Sequence, residues 1–148
     1  MTISQLTTDD KKHISLWKYK EEYARFNYAI EKNGWLDTYC KDECEYCFSA
    51  KLADKIIGLF LFIPQNENEF RVLINPDFLN KGYGKTLTSK ALEIAVNQLA
   101  FHIVTLIVRQ DHQVAITLYE KLEFKTTGEK IETIEGESIH FYKMQKSL

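Results

Sequence analysis

Two short stretches carry residue types and spacings suited to group-transfer chemistry. In the first, Gly82-Tyr83-Gly84-Lys85 follows an apolar run and opens a helical pattern. Glycines at these two positions let backbone N–H groups approach a ligand closely. A helix starting there adds unsatisfied N–H groups and the positive end of its dipole. Lys81 and Lys85 add charge, and the whole suits a pyrophosphate. In the second, Tyr119 falls in the short helical run from Ala115 to Leu122. A phenol with a pKa of about 10 is protonated at neutral pH and can donate. Taken alone, the first stretch reads as a glycine turn before a helix and the second as a core aromatic. A nucleotide P-loop would need glycine where Leu79 stands, and a dinucleotide fingerprint a third glycine where Leu87 stands, so both are rejected.

The elements that must position these groups follow from periodicity. Residues 3–6 read as a short strand, and Thr7-Thr8-Asp9-Asp10 as helix-capping residues. From there to about residue 32 the pattern is helical, with Leu16, Tyr19, Tyr23, Phe26 and Ile30 three or four apart, and Asn33-Gly34 is a stop. Residues 45–52 and 55–63 read as strands joined by Ala53-Asp54, and 70–74 as a further strand stopped by Asn75-Pro76. Residues 84–100 are helical, 103–108 form an apolar central strand, and 113–122 a short helix. Residues 130–134 and 138–144 flank Glu135-Gly136 as a hairpin. Strands alternating with helices imply an α/β fold, a mixed β-sheet with helices on both faces.

Composition sets bounds on this reading. At 148 residues, with no repeat or linker, the chain is expected to be one domain over 1–148. A formal net charge of -2 gives no reason to expect nucleic acid or a membrane as partner. A polar start and no long apolar run point to a cytoplasmic protein. Three closely spaced cysteines are no disulfide framework.

In this order, with a strand between them, the two stretches resemble the GNAT family of N-acetyltransferases. That family has a strand of the form L-x-V-x-P, then R/Q-x-x-G-x-G/A entering a helix. Val72, Ile74 and Pro76 fit the strand, and Gly82 and Gly84 the loop. Its later L-x-V and A-I-x-L-Y-E-K-L-G-F are matched by Leu106, Val108, Ala115 through Leu122, and Phe124. The closing Phe141-Tyr142-Lys143-Met144 resembles its last strand, and the convincing match spans residues 70–124.

The resemblance implies a GNAT-like fold, acetyl-CoA as cosubstrate, and direct attack by a primary amine on the thioester. It implies that the backbone of Val72, Leu73 and Ile74 pairs with the pantetheine arm where neighbouring strands splay apart. The amides of Asn80, Lys81, Gly82, Tyr83, Gly84 and Lys85 would hold the pyrophosphate. Tyr119 would be the general acid to the departing thiolate, and an amide near Ile74 would stabilise the oxyanion. Leu79 departs from the Arg/Gln of the motif, His112 replaces an asparagine that touches the cofactor, and Glu123 replaces a glycine. Ile107 stands where some relatives carry a catalytic glutamate. Glu69, beside the fourth strand, is a candidate water relay but reads more simply as a solvated turn carboxylate.

Two other classes compete. The departures leave room for a non-catalytic acyl-CoA-binding domain. Cys40, Cys44 and Cys47 have the C-x3-C-x2-C spacing that resembles radical SAM iron–sulfur proteins. The chain is too short for that barrel, and Cys44 and Cys47 are expected at or within a strand, where their odd spacing points them to opposite faces. No metal is expected, since the four histidines have no ligand spacing with the cysteines. The acceptor is expected to be a small-molecule or peptide amine. Glu21, Glu22, Asp37, Asp42 and Glu43 could favour a cation but read as a solvated face. Tyr23, Phe26, Trp35 and Tyr39 could wall a pocket but read as core. A homodimer is the partner arrangement kept open.

Overall fold

Local capping chemistry sets the first helix of the computed structural model, which describes residues 1–41 and 44–148. Thr7 accepts a hydrogen bond from the Asp10 amide, and Asp10 accepts one from the Thr7 amide, each at 3.0 Å. This capping box starts α1 (Thr8–Ile14), behind β1 (Thr2–Gln5). Asp10 is buried and also accepts from Ser49 and Lys51. Burial alone would raise its carboxyl, but the bonds from Thr7, Lys51 and Ser49 outweigh it and hold the group below its usual range.

The helix predicted to run to residue 32 is broken. Leu16 is 80% exposed, and Glu21 takes a left-handed φ of 54° that the interior of a right-handed α-helix does not tolerate. A 3₁₀ turn follows at Glu21–Phe26, then α2 (Asn27–Ile30). The break has a tertiary cause: the Asn27 side chain accepts from the Tyr19 amide at 2.8 Å and donates to the Tyr19 carbonyl at 3.0 Å. Gly34 then caps α3 (Trp35–Tyr39), an element the periodicity did not suggest.

Strands β2 (Cys47–Leu52) and β3 (Lys55–Ile63) form an antiparallel pair, and β1 pairs antiparallel with β2. Ile56 to Ile63 is buried at every position, which explains its unbroken apolar run. β4 (Glu69–Ile74) leads through a 3₁₀ turn at Pro76–Phe78 to α4 (Tyr83–Asn97). Then come β5 (Ile103–Arg109), α5 (Gln113–Lys121), β6 (Lys125–Ile134) and β7 (Glu137–Ser147). Hydrogen bonding orders the strands β1-β2-β3-β4-β5-β7-β6, a mixed α/β sheet.

The residues cluster into two compact units. One comprises Met1–Phe62 and Arg71–Ala91, with Phe60, Ile57, Leu59, Ile14 and Leu87 at its centre. There Gly58, beside a register shift in the β2–β3 pair, leaves no room for a side chain: an added Cβ would lie 2.7 Å from Leu87 Cδ2 and 2.9 Å from the Leu73 carbonyl oxygen. The other comprises Ile63–Phe70 and Leu92–Leu148, with Val104, Leu106, Phe124 and Met144 buried. In it β5 pairs antiparallel with β7, and β6 with β7. The β6–β7 hairpin turns at Glu135 and Gly136, both at positive φ, as Glu135-Gly136 suggested. β6 starts five residues earlier than the periodicity indicated, because its exposed early positions show no apolar alternation.

Candidate active site

The end of β4 is fixed by Asn75. Its buried amide N–H donates to the Ile57 carbonyl at 2.9 Å and its side chain donates to the Ile56 carbonyl at 2.8 Å. Its Oδ1 accepts from the Asp77 amide, starting the turn that carries the chain to the glycine loop. Just before it, the Ile74 carbonyl accepts a hydrogen bond from the Tyr19 hydroxyl. Burial raises that phenol well above its ordinary range, so it donates at any ordinary pH. The Ile74 carbonyl is thereby engaged by the protein. Val72 and Ile74 are half-buried, and Leu73 is buried.

The loop then reverses through two left-handed residues, Asn80 (φ 60°) and Gly82 (φ 82°). A Cβ added at Gly82 or Gly84 would meet nothing within 4 Å, so the loop presents bare backbone to open space. Contrast the two helix starts. α1 has Asp9 and Asp10 in its first turn, as a helix dipole favours, whereas α4 has no acid there and carries Lys85, with Lys81 just ahead. An anion bound at the first turn of α4 would relieve that mismatch. Lys81 and Lys55 each place an ammonium over the Phe78 ring, at 5.4 and 5.3 Å, and Phe78 meets Tyr83 edge-on. Lys55 and Phe78 carried no signal in the sequence, since they come together only through the fold.

Two further contacts tie the Lys20–Tyr39 region to this loop and strand. The Asn80 side chain donates to the Tyr23 hydroxyl at 2.7 Å. The Arg71 guanidinium of β4 lies 5.7 Å from the ring centres of both Trp35 and Tyr39. Asp42 and Glu43 lie outside the described residues.

In the second unit, Tyr119 sits buried on α5, its ring edge-on to Phe124 at 5.7 Å. Burial pushes its phenol up to about 12, so it is a proton donor and not a base at neutral pH. His112 occupies the position before α5, half-buried, with its amide donating to the Arg109 carbonyl at 3.0 Å. Ile107 is half-buried on β5. Glu69 corrects the expectation of a solvated turn: it is the first residue of β4, 6% exposed, and pairs in register with Thr105 of β5.

The cysteines also depart from expectation. β2 begins at Cys47, not at 45, so Cys44 lies before a turn and the two do not alternate along a strand. Among the described residues, no group of three His, Cys, Asp or Glu side chains could hold a metal ion.

The chain matches the model of the acetyltransferase (GNAT) family over residues 10–124. The spermidine N(1)-acetyltransferase of Vibrio cholerae is 28% identical over 129 residues, 84% of this chain and 73% of that protein. The Escherichia coli protein of the same name is 25% identical over 125 residues, 82% of this chain and 66% of that one. The chain thus spans about two thirds to three quarters of these relatives' length. A solved single-substitution form of a V. cholerae spermidine N-acetyltransferase has a TM-score of 0.75 at 26% identity, covering 99% of this chain and 95% of that one. A structure of spermidine N-acetyltransferase from V. cholerae in complex with CoA and spermine shares the fold at TM-score 0.78 and 24% identity, covering 99% and 94%. With a family model spanning most of its length and the same fold throughout, this chain belongs to the acetyltransferase (GNAT) family and is an N-acetyltransferase.

Proposed function

We propose that the acceptor is a primary amine of an aliphatic polyamine, acetylated by direct attack on acetyl-CoA. The observation that carries the cofactor half is the bare, acid-free loop at Gly82 and Gly84, opening a 15-residue helix. The acceptor class follows the relative named a spermidine N(1)-acetyltransferase, and exposed Glu21, Glu22 and Asp37 suit a cation. The family match crosses both compact units, which supports their working as one domain.

Acetyl-CoA supplies an activated thioester. The amides of Asn80 to Lys85 and the charges of Lys81 and Lys85 bind the pyrophosphate. The peptide groups of Val72, Leu73 and Ile74 hold the pantetheine arm, and the Ile74 carbonyl is engaged by Tyr19. His112 adds a contact from the start of α5. An amide near Ile74 would stabilise the developing oxyanion, and Tyr119 would give its proton to the departing thiolate.

The test is thiol release with acetyl-CoA and spermidine, with the product identified by mass, beside a lysine peptide at equal concentration. Spermidine turnover with little from the peptide supports the reading. Acetylation of the peptide alone would contradict the polyamine, and binding without transfer to either would indicate a non-catalytic acyl-CoA binder. Tyr119→Phe should lower the single-turnover rate by up to ~10²-fold, with acetyl-CoA affinity unchanged. The pH profile checks the same role. Tyr119 stays protonated below its raised value of about 12, and an alkylamine with a pKa of about 10.4 becomes a better nucleophile as it deprotonates. The rate should therefore climb from about pH 7 to about pH 10. A fall within that window would remove Tyr119 as the acid.

A further inference from the structure

Three thiols stand apart from the acyl-transfer machinery. Cys40 ends α3, Cys44 precedes a turn, and Cys47 opens β2, all reduced. The Cys47 amide donates to the Cys44 carbonyl at 3.4 Å, closing a tight turn around Glu45 and Tyr46. A four-residue turn of this kind brings its end Cα atoms within about 7 Å, close to the span of about 4.4–6.8 Å that a disulfide bridges. The side chains converge as well. Both Sγ atoms donate toward one acceptor, the Tyr39 carbonyl oxygen, from 3.9 Å for Cys44 and 3.7 Å for Cys47.

The thiols differ in access. Cys44 is half-buried, whereas Cys40 and Cys47 are each about 1% exposed. Hydrogen bonding to Cys40, then burial, then contact with Cys44, raises the Cys47 thiol far above its ordinary range. Cys47 is therefore a poor first nucleophile, because the thiolate is the reactive form. An oxidant arriving from solvent meets Cys44 first, with a second sulfur already turned toward the same oxygen.

We propose that Cys44 and Cys47 form an oxidative modification site, with Cys44 the entry thiol for a hydroperoxide and Cys47 the resolving thiol. With hydrogen peroxide, the Cys44 sulfur attacks one oxygen as the O–O bond breaks, giving a sulfenic acid and one water. The Cys47 sulfur then attacks the sulfenic sulfur, the S–O bond breaks, and a second water leaves with both thiol protons accounted for. Two electrons pass from the sulfur pair to the peroxide, and an intrachain disulfide spans the turn. The bridge takes both S–H donors from the Tyr39 carbonyl, at the end of the helix whose Trp35 and Tyr39 rings flank Arg71.

The experiment treats the reduced full-length protein with hydrogen peroxide in the presence of a chelator and maps the peptides by mass spectrometry. The expected product has lost two hydrogens, carries a Cys44–Cys47 bridge, leaves Cys40 reduced, and is restored by dithiothreitol. Cys44→Ser should abolish the bridge, and Cys47→Ser should leave a sulfenic acid at Cys44 that dimedone captures. The wild-type map decides the pairing even where Cys47→Ser fails to fold. A bridge to Cys40, or no two-hydrogen loss at peroxide levels that oxidise a simple thiol, overturns the proposal.

Discussion

The stretch from Asn75 to Lys85 and the stretch from Ser15 to Tyr39 belong to the same compact unit, yet they are held in opposite ways. Past Asn75, which is anchored to Ile56 and Ile57, the first is shaped mostly by its own residues: Pro76 begins a turn, Asn80 and Gly82 reverse the chain, and α4 starts at Tyr83. The second takes its shape from side-chain contacts, within it and beyond it. Asn27 grips the Tyr19 backbone, Tyr19 reaches Ile74, Tyr23 meets Asn80, and Arg71 lies against Trp35 and Tyr39. A region governed by local chemistry can serve a constant ligand. A region governed by tertiary contacts can change its shape with the acceptor, one substitution at a time.

The sharpest way to break this contrast is Gly34→Ala. The added Cβ would lie 2.1 Å from the Tyr28 carbonyl oxygen and 2.9 Å from that of Ala29, so backbone must move. We expect a loss of about 3 kcal/mol, roughly 10 °C in Tm, read by thermal denaturation. A variant with unchanged Tm would mean that the α2–α3 connection tolerates rearrangement and is not held as described.

Tyr19→Phe comes next. It removes the hydroxyl from a buried ring and leaves the Ile74 carbonyl without that donor. An unsatisfied buried acceptor costs about 1–3 kcal/mol, which denaturant unfolding would register. Because Ile74 ends the strand proposed to hold the pantetheine arm, acetyl-CoA affinity should fall with it. Lost stability with unchanged affinity would uncouple the two stretches.

The smallest effect is expected at the exposed bond between Asn80 and Tyr23. Asn80→Ala and Tyr23→Phe should each raise the acceptor KM about threefold; Tyr23→Phe should leave stability within about 0.5 kcal/mol, while Asn80→Ala should lose about 1 kcal/mol because alanine is strained at the left-handed φ of position 80. The double variant should be no worse than either single, since both remove one interaction of about 1 kcal/mol or less. Additive effects would show that the two residues act separately.

The same contrast explains what could be read from the residues alone. β3 was legible to the residue because its apolar run is bounded by the Ala53-Asp54 joint and by Pro64. The glycine turn before a helix was legible because helix starts and turns obey short-range rules, and the short helix carrying Tyr119 because its surroundings match a family motif. The Ser15–Tyr39 stretch was not. Its three-and-four spacing is that of a helix, but a side-chain clamp from Asn27 and a left-handed Glu21 override the propensity. Glu69 was misread for a related reason: a charged residue after a turn looks solvated, and only β4 pairing beside Thr105 buries it. Lys55 and Phe78 were invisible because the residues between them fold back before the two meet.

The most direct test of the central claim is calorimetric titration of acetyl-CoA into the wild-type protein and Gly84→Val. Position 84 has open space for a side chain, and valine forms helix at least as well as glycine, so Tm should hold or rise slightly. If the bare backbone there binds the pyrophosphate, affinity should drop about tenfold, close to 1.4 kcal/mol, with stoichiometry kept in the wild type. Equal affinity in the two proteins would contradict the account, because the ligand would then be held somewhere other than at the start of α4.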